Sequence, residues 1–310
     1  FGTDFQSVWY PKASVSWIIS DEDFFPKIGF LNSLRLRSAY GAAGVQPGPN
    51  DALRTISANA ISIKGTDTPV LTNNALGNNE LRPERTTEFE TGFESKLANN
   101  RLSIDFTFYQ KRTKDALISA IIAPSVGTGA NNVLQNLGAV RNRGFEILTN
   151  AQIVDKKAFA FDVTLNGSTN SNTLLSLGDT PTQVGTTTRV TEGYPLFGWW
   201  ARPIISYQDK NGDGFITADG CGPYSANDTP QCEVTVGDSS VFRGYTQPRH
   251  ILTLTPGFEF LNRKLRIQGL FDYRGGYKAY NNTERIRCVS RANCNGMENP
   301  KSTFEEQAMA

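Results

Sequence analysis

The segment from Glu84 to Lys114 alternates polar and apolar side chains over two runs joined by three residues, Ala98 to Asn100. Side chains in a strand alternate between two faces, so the pattern predicts a β-hairpin. In a helix the same apolar side chains would be distributed around the whole circumference. Each run lasts about ten residues, the length that crosses a bilayer when a strand is tilted. One face carries Phe89, Thr91, Phe93, Ser95, Leu97, Leu102, Ile104, Phe106 and Phe108, and the other carries Glu88, Glu90, Glu94, Lys96, Arg101, Ser103, Asp105, Thr107, Tyr109 and Lys111.

Three further pairs of alternating runs repeat this plan, at 7–20 with 34–40, at 145–153 with 159–168, and at 252–260 with 265–274. Short connections join the runs at one end. At the other end we predict long loops at 41–83, 116–139 and 171–248, the last with short strands within 194–205. Pro256-Gly257 predicts a bulge or kink, and residues 302–307 predict the start of a helix in a loop-like tail.

The composition excludes several classes of protein. Lys+Arg 31 against Asp+Glu 30 gives no electrostatic footprint for nucleic acid, and no apolar run has the length of a membrane helix. The chain opens at Phe1 without a signal peptide, so we interpret it as a fragment. No G-x-S-x-G, Walker or G-x-G-x-x-G string appears, and the single His250 has no assignable nucleophile partner, so we predict no enzyme.

The four cysteines fall into two local pairs, Cys221 with Cys232 and Cys288 with Cys294. Three pairings are possible, but an even count in loop-like sequence favours two local disulfides and an oxidising compartment. Zinc is the rival interpretation. It is disfavoured because neither spacing is C-x₂₋₄-C and the only histidine lies elsewhere.

The alternating pattern fits two all-β architectures. A soluble sandwich or adhesion module would turn the apolar faces inward, whereas a membrane barrel would turn them toward lipid. Strand length, the ionic second face and the one-sided loops favour part of a large antiparallel transmembrane β-barrel with long extracellular loops.

Several motifs also resemble the barrel of SusC/RagA-type TonB-linked outer-membrane transporters. In chain order they are the runs 9–17, 21–24, 34–41, 81–88, 99–102, 109–115, 140–146, 192–195 and 209–214, which read WYPKASVSW, DEDF, LRLRSAYG, LRPERTTE, NNRL, YQKRTKD, VRNRGFE, EGYP and DKNGDG. The resemblance implies a plugged barrel of about twenty-two strands, of which residues 1–310 would supply about eight as a single fragment. The plug domain, the TonB box and the closing strands would lie outside this chain.

The resemblance also implies a function. It predicts a nutrient importer in the outer membrane of a Gram-negative bacterium, embedded in lipid, coupled to the TonB complex and working with a SusD-like surface lipoprotein. Oligosaccharides and peptides both remain open as substrates. A passive porin and a soluble β-rich binding module are the alternatives, and an upstream plug domain would separate importer from porin.

One loop has the spacing of half a calcium site. Oxygen ligands recur as in the first half of an EF-hand loop, with glycine at the sharp turn. A surface turn explains the same residues. The twelfth position is Gly220, with an acid one place early, so at most weak calcium binding is predicted, by Asp209, Asn211, Asp213, Phe215, Thr217 and Asp219. No other cofactor is predicted.

Aromatic residues in the longest loop are candidates for stacking on a ligand or for contact with a partner: Tyr194, Trp199, Trp200 and Tyr207. Loop packing or an interfacial aromatic girdle explains them equally well. Charges on the ionic faces are candidates for a substrate path, and pairing with a plug or with water is the alternative.

Overall fold

The computed structural model describes residues 8–121, 132–136, 138–178, 181–185, 187–217, 221 and 232–309. The chain divides into two compact units. The first contains residues 1–184, 190–196 and 248–276, and the second contains 185–189, 197–247 and 277–310.

The first unit is built on one antiparallel sheet whose strands are β1 (Lys12–Ile18), β2 (Leu31–Val45), β5 (Glu84–Leu97), β6 (Leu102–Lys114), β9 (Ala139–Asp155), β10 (Phe159–Ser176), β17 (His250–Phe260), β18 (Leu265–Gln268) and β19 (Phe271–Gly275). Their order is β1-β2-β5-β6-β9-β10-β17, and β18 and β19 both pair with β17. The sheet therefore has eight strand positions in an up-and-down meander, and all four predicted hairpins are confirmed.

Two predicted loops contain hairpins of their own. Strands β3 (Thr55–Ile63) and β4 (Thr66–Ala75) pair within 41–83, and β7 (Leu117–Ile121) and β8 (Asn132–Asn136) pair within 116–139. The prediction of structureless loops is wrong there. In β3 the exposed Ile56 and Ile61 lie on opposite faces of the strand. Neither face is consistently apolar, so the sequence does not alternate between polar and apolar residues as a half-buried strand does.

The third long loop is only partly irregular. Strand β10 runs on to Ser176, and short strands follow at β11 (Gln183–Val184), β12 (Thr188–Val190), β13 (Gly198–Ala201), β14 (Ile204–Tyr207), β15 (Val234–Val236) and β16 (Val241–Tyr245). The prediction of short strands within 194–205 is confirmed.

Two short turns share one backbone conformation. Residues 98–100 have φ of 52°, 57° and 65°, and residues 261–263 have φ of 55°, 58° and 66°. Asparagine tolerates this left-handed region better than other residues with a side chain, and an asparagine occupies the central position of each turn. The turns are closed by hydrogen bonds from Arg101 N to Ala98 O at 3.2 Å and from Lys264 N to Leu261 O at 3.3 Å.

Of the bulge or kink predicted at Pro256-Gly257, the bulge does not form, and the kink stays a prediction. The register between β10 and β17 continues through Pro256 without a shift. The interruption appears instead in the opposite strand, where residues 269–270 separate β18 from β19 while the register against β17 stays the same. Proline has no N–H to donate to the opposite strand, so regular pairing is interrupted at this point although neither strand contains an extra residue.

A glycine permits one close side-chain packing on the sheet. A Cβ at Gly144 would lie 2.7 Å from the Tyr109 hydroxyl and would clash with the Thr169 carbonyl oxygen. The Tyr109 hydroxyl donates to that oxygen at 3.3 Å. The glycine of the VRNRGFE motif therefore makes room for a tyrosine from the neighbouring strand.

A small hydrophobic core lies where β9 begins and β10 ends. Leu174, Leu177 and Val140 are buried, and Val190 and Leu196 pack against them. Full burial of such side chains contributes about 1.5–3 kcal/mol each. This core fixes the start of the third long loop to the sheet.

The second unit combines short strand pairs with short helices. Strand β13 pairs with β16, and β14 pairs with β15. The helices are α1 (Asn282–Arg285), α2 (Asn295–Glu298) and α3 (Phe304–Met309), with a π-helical turn at Ile286–Ser290; in the first unit a 3₁₀ turn spans Ile19–Asp21. None of the helices in the described ranges is both long and apolar enough to cross a membrane.

The helix start predicted at 302–307 is confirmed. Glu306 N donates to Thr303 Oγ1 at 3.2 Å, and Thr303 N donates to Glu306 Oε2 at 2.9 Å. This reciprocal pair is a capping box. Hydrogen bonds from the backbone N–H and then the hydroxyl of Thr303 lower the pKa of the Glu306 carboxyl.

Candidate functional site

The main sheet has one apolar face and one ionic face. On the apolar face, directly paired residues form one row across all eight strand positions: Trp17, Leu36, Phe93, Phe106, Ile147, Gly167, Leu252 and Tyr273. Ring centroids in this row lie 5.7 Å apart for Phe93 and Phe106. An apolar face this continuous, in long strands, suits contact with hydrocarbon.

Arg37 is the centre of the charge network on the ionic face. Its guanidinium lies 2.8 Å from Glu94 and 2.5 Å from Asp105, and it also donates to the Thr107 hydroxyl. Arg35 adds a second contact to Glu94 at 3.3 Å. The pairs are about one-third exposed, so each contributes little to stability, but together they neutralise this part of the face.

Several other charges of the ionic face are paired in the same way, although Lys96 and Arg101 form no ion pair within the described ranges. Arg266 binds Asp162 at 2.8 Å and Glu259 at 3.0 Å. Lys111 lies 3.9 Å from Glu88, and Arg274 lies 2.9 Å from Asp272. Within the described ranges Glu90 has no ion pair. Leu148 lies in this face opposite Asp105, as the sequence pattern indicated.

The strand ends define two different rims. We call the end with the turns at 98–101, 156–158 and 261–264 the short-turn end, and the opposite end, where 46–83, 115–138 and 177–249 begin and return, the long-loop end. At the short-turn end, Arg101 donates to the carbonyls of Gln152 at 3.1 Å and Ile153 at 2.6 Å, and Arg263 forms an ion pair with Asp155. Neighbouring turns are therefore tied together.

The candidate calcium loop is held by hydrogen bonds from its own backbone N–H groups to its carboxylates. Asp209 accepts hydrogen bonds from Gly212 N at 2.7 Å and Gly214 N at 2.9 Å, and Asp213 accepts from Phe215 N at 2.8 Å. Gly212 and Gly214 have φ of 77° and 85°, which glycine adopts freely. Asn211 and Thr217 lie in the same loop, whereas Asp219 is outside the described residues.

A carboxylate that sequence reasoning missed organises this loop. Glu233 is 3% exposed, and its carboxylate accepts hydrogen bonds from Lys210 N at 3.0 Å, Asn211 N at 3.4 Å and Thr217 N at 3.0 Å. Glu233 lies immediately before β15, more than ten residues along the chain from the loop, and no local spacing signals its role. Calcium binding by the loop stays a prediction.

The structure pairs the cysteines as two disulfides. Cys221 joins Cys232 with a Cα separation of 4.8 Å, and Cys288 joins Cys294 with a Cα separation of 5.0 Å. In the part of the chain that the structure describes, the one group of three potential metal ligands is Glu284 with Cys288 and Cys294. Its two sulfur atoms are bonded to each other, so this group is not available to a metal.

The four candidate aromatic residues are divided between the two units. Trp199 and Trp200 are adjacent in β13 and point to opposite faces. Trp199 lies 5.5 Å from Tyr280, and Trp200 lies 5.8 Å from Phe242 and under the Arg189 guanidinium. Tyr207 ends β14 in the second unit, and Tyr194 belongs to the first. Their ligand or partner role stays a prediction.

These features define a class of protein. A meander of long strands, with an apolar and an ionic face, short turns at one end and long loops at the other, is a segment of a large outer-membrane β-barrel. The family model "TonB dependent receptor-like, beta-barrel" matches residues 1–288. The chain therefore belongs to the family of TonB-dependent receptor β-barrels, which lie in the outer membrane.

Similar proteins agree with this assignment. TonB-dependent receptor P26 of Formosa agariphila is 29% identical over 254 residues, and TonB-dependent receptor SusC of Bacteroides thetaiotaomicron is 26% identical over 310 residues. The alignments cover 71% and 88% of this chain but only 25% and 30% of those relatives. The solved structure of the RagAB peptide transporter superposes with a TM-score of 0.72 at 21% identity, over 89% of this chain and 30% of that one. At that identity the likeness shows the fold.

Proposed function

We propose that this chain is part of the wall of a plugged, TonB-energised importer that takes up oligosaccharides or peptides together with a SusD-like surface lipoprotein. The observation that carries the proposal is the family match over residues 1–288. Family membership also removes the soluble β-rich module from consideration. No catalytic role is proposed, because TonB-dependent receptors are transporters.

The length of the connections at the long-loop end supports the binding of a partner protein there. Three connections of more than twenty residues leave the sheet there, and connections of that length are usually functional. They carry hairpins, a disulfide and a hydrogen-bonded Asp209 loop. Long connections that leave the strands at one end of a barrel wall are suited to docking a protein that delivers substrate.

The ionic face supports a filled lumen. A wall lined by ion pairs such as Arg37 with Asp105 is hydrated, and a barrel of about twenty-two strands is wide enough to leak unless a domain fills it. A plug domain upstream of this chain would separate the proposed importer from a passive porin with a similar wall.

The test uses the full-length protein from native membranes. We expect extraction in mild detergent to recover a surface lipoprotein with the barrel, and uptake to stop when the proton gradient is dissipated. A porin of known passive flux in the same cells is the control. Recovery of the barrel alone, with uptake that persists without the gradient, would overturn the importer and favour the porin.

A further inference from the structure

A polar cavity of about 640 Å³ lies at the long-loop end of the first unit. Its walls come from the residues just before β5, just after β6, just before β9 and just after β10. It therefore stands over the ends of four consecutive barrel strands. This volume is within the range of small-ligand sites, about 300–1,000 Å³.

The walls are held in place by two asparagine side chains. Asn136 Nδ2 donates to the carbonyls of Arg82 at 2.7 Å and Asp115 at 2.9 Å, while its Oδ1 accepts from Arg82 N at 2.7 Å. Asn78 donates to Leu134 O at 3.0 Å and accepts from Glu80 N at 3.0 Å. Three separate loop segments are thus fixed to one another before any ligand binds, which lowers the entropy cost of binding.

Charged side chains of both signs line the cavity. Arg82 supplies a cation, and Glu80 and Asp115 supply anions. Within the described ranges none of the three forms an ion pair, and the hydrogen bonds of these residues are made by backbone atoms. On the ionic face, by contrast, Arg37, Glu94, Asp105, Asp162 and Arg266 are all held in ion pairs.

Asp115 is also held in an uncommon backbone conformation. Its φ is 54°, in the left-handed region that favours glycine, and its carbonyl is fixed there by Asn136. Aspartate tolerates this region, and the contact with Asn136 fixes the backbone of Asp115 before any ligand binds.

The side chains that line the cavity favour a charged ligand over a neutral sugar. No aromatic side chain is among the described residues that line the cavity, so it lacks the stacking surface that neutral sugars use. A guanidinium and two carboxylates instead match a ligand that carries both an ammonium and a carboxylate group. We propose that this cavity binds short peptides through their charged ends. The inference rests on the proposed import function and names peptides as the substrate class.

The test measures binding to the purified full-length protein by calorimetry. The probes are a synthetic pool of random tetrapeptides with free ends, the same pool acetylated and amidated, and maltotetraose. We expect the free-ended pool to bind, and the blocked pool and the sugar to bind at least about tenfold more weakly, as loss of a hydrogen bond to a charged group predicts.

Matched variants locate the binding. R82Q and D115N should each weaken the free-ended pool about tenfold or more, and asparagine at 115 keeps the left-handed conformation accessible. K114Q, next to Asp115 but outside the lining, should leave binding unchanged. Circular dichroism verifies that each variant is folded.

Four results would each overturn the inference. They are the absence of peptide binding, equal binding of the blocked and free-ended pools, binding that R82Q and D115N do not weaken, and stronger binding of maltotetraose. Energised uptake is measured separately, by its dependence on the proton gradient. Peptide binding can therefore fail while the importer stands, and the two failures are distinguishable.

Discussion

At the scale of single residues, Glu233 shows how one buried carboxylate shapes a surface loop. A buried charge is costly unless it is hydrogen-bonded, and this one accepts from three backbone N–H groups of the loop from Lys210 to Thr217. The Asp209 loop therefore depends on a residue that lies more than ten positions further along the chain. Neither Glu233 nor Asn136 could be recognised from sequence, because each acts on residues more than ten positions away.

The loop from Asp209 to Thr217 gives a prediction at this scale. We expect calcium to bind with a dissociation constant of about 10⁻⁴ M or weaker, because a strong carboxylate ligand is missing from the twelfth position. Calorimetry on the intact protein measures it. Asp213→Ala should abolish the heat of binding, and Asp238→Asn, an exposed acid of the same unit, is the matched control. Submicromolar affinity, or no effect of Asp213→Ala, would contradict the prediction.

At the scale of elements, the barrel strands could be predicted and the loop elements could not. Phe93 and Glu94 are neighbours in the strand and lie on opposite faces. One face is apolar and the other ionic over the whole strand, so the sequence alternates between the two kinds of residue and the strand can be recognised. Strand β3 is largely exposed on both sides, so Ile56 and Ile61 carry no such contrast. Helices α1 and α2 have four residues each, too few for a helical period to appear.

The disulfides give a prediction for two elements of the second unit. Non-reducing peptide mapping of the protein from the outer membrane should recover Cys221 linked to Cys232 and Cys288 linked to Cys294. Loops closed over 11 and 6 residues should be stabilised by about 2–3 kcal/mol each. The double variant Cys288→Ser/Cys294→Ser should leave the first linkage intact. Four free thiols would refute the pairing.

At the scale of the whole molecule, the two faces of the sheet decide its orientation in the membrane. A charge turned toward the middle of a bilayer costs about 2–4 kcal/mol for Arg or Lys and less for an acid, and the ionic face carries many. We therefore predict that the apolar face contacts lipid through Phe93, Ile104, Phe106, Phe161, Ile267 and Phe271, and that the lumen is lined by Glu94, Asp105, Asp162 and Asp272.

Single cysteines in the full-length protein measure this orientation. A cysteine at 106 should be quenched by a lipid-borne quencher, and one at 105, its neighbour on the other face, should react with a membrane-impermeant thiol reagent. The parent protein, whose described cysteines are disulfide-bonded, is the blank. Stronger lipid quenching at 105 than at 106 would reverse the assignment.

The pairing of charges along the ionic face has a mechanical consequence. Arg37 satisfies Glu94 and Asp105 within the wall itself, and Arg266 does the same for Asp162 and Glu259. Where charges are paired within the wall in this way, few ionic contacts have to break when a neighbouring body moves along it. Low adhesion of this kind would suit the displacement of a plug in the proposed importer.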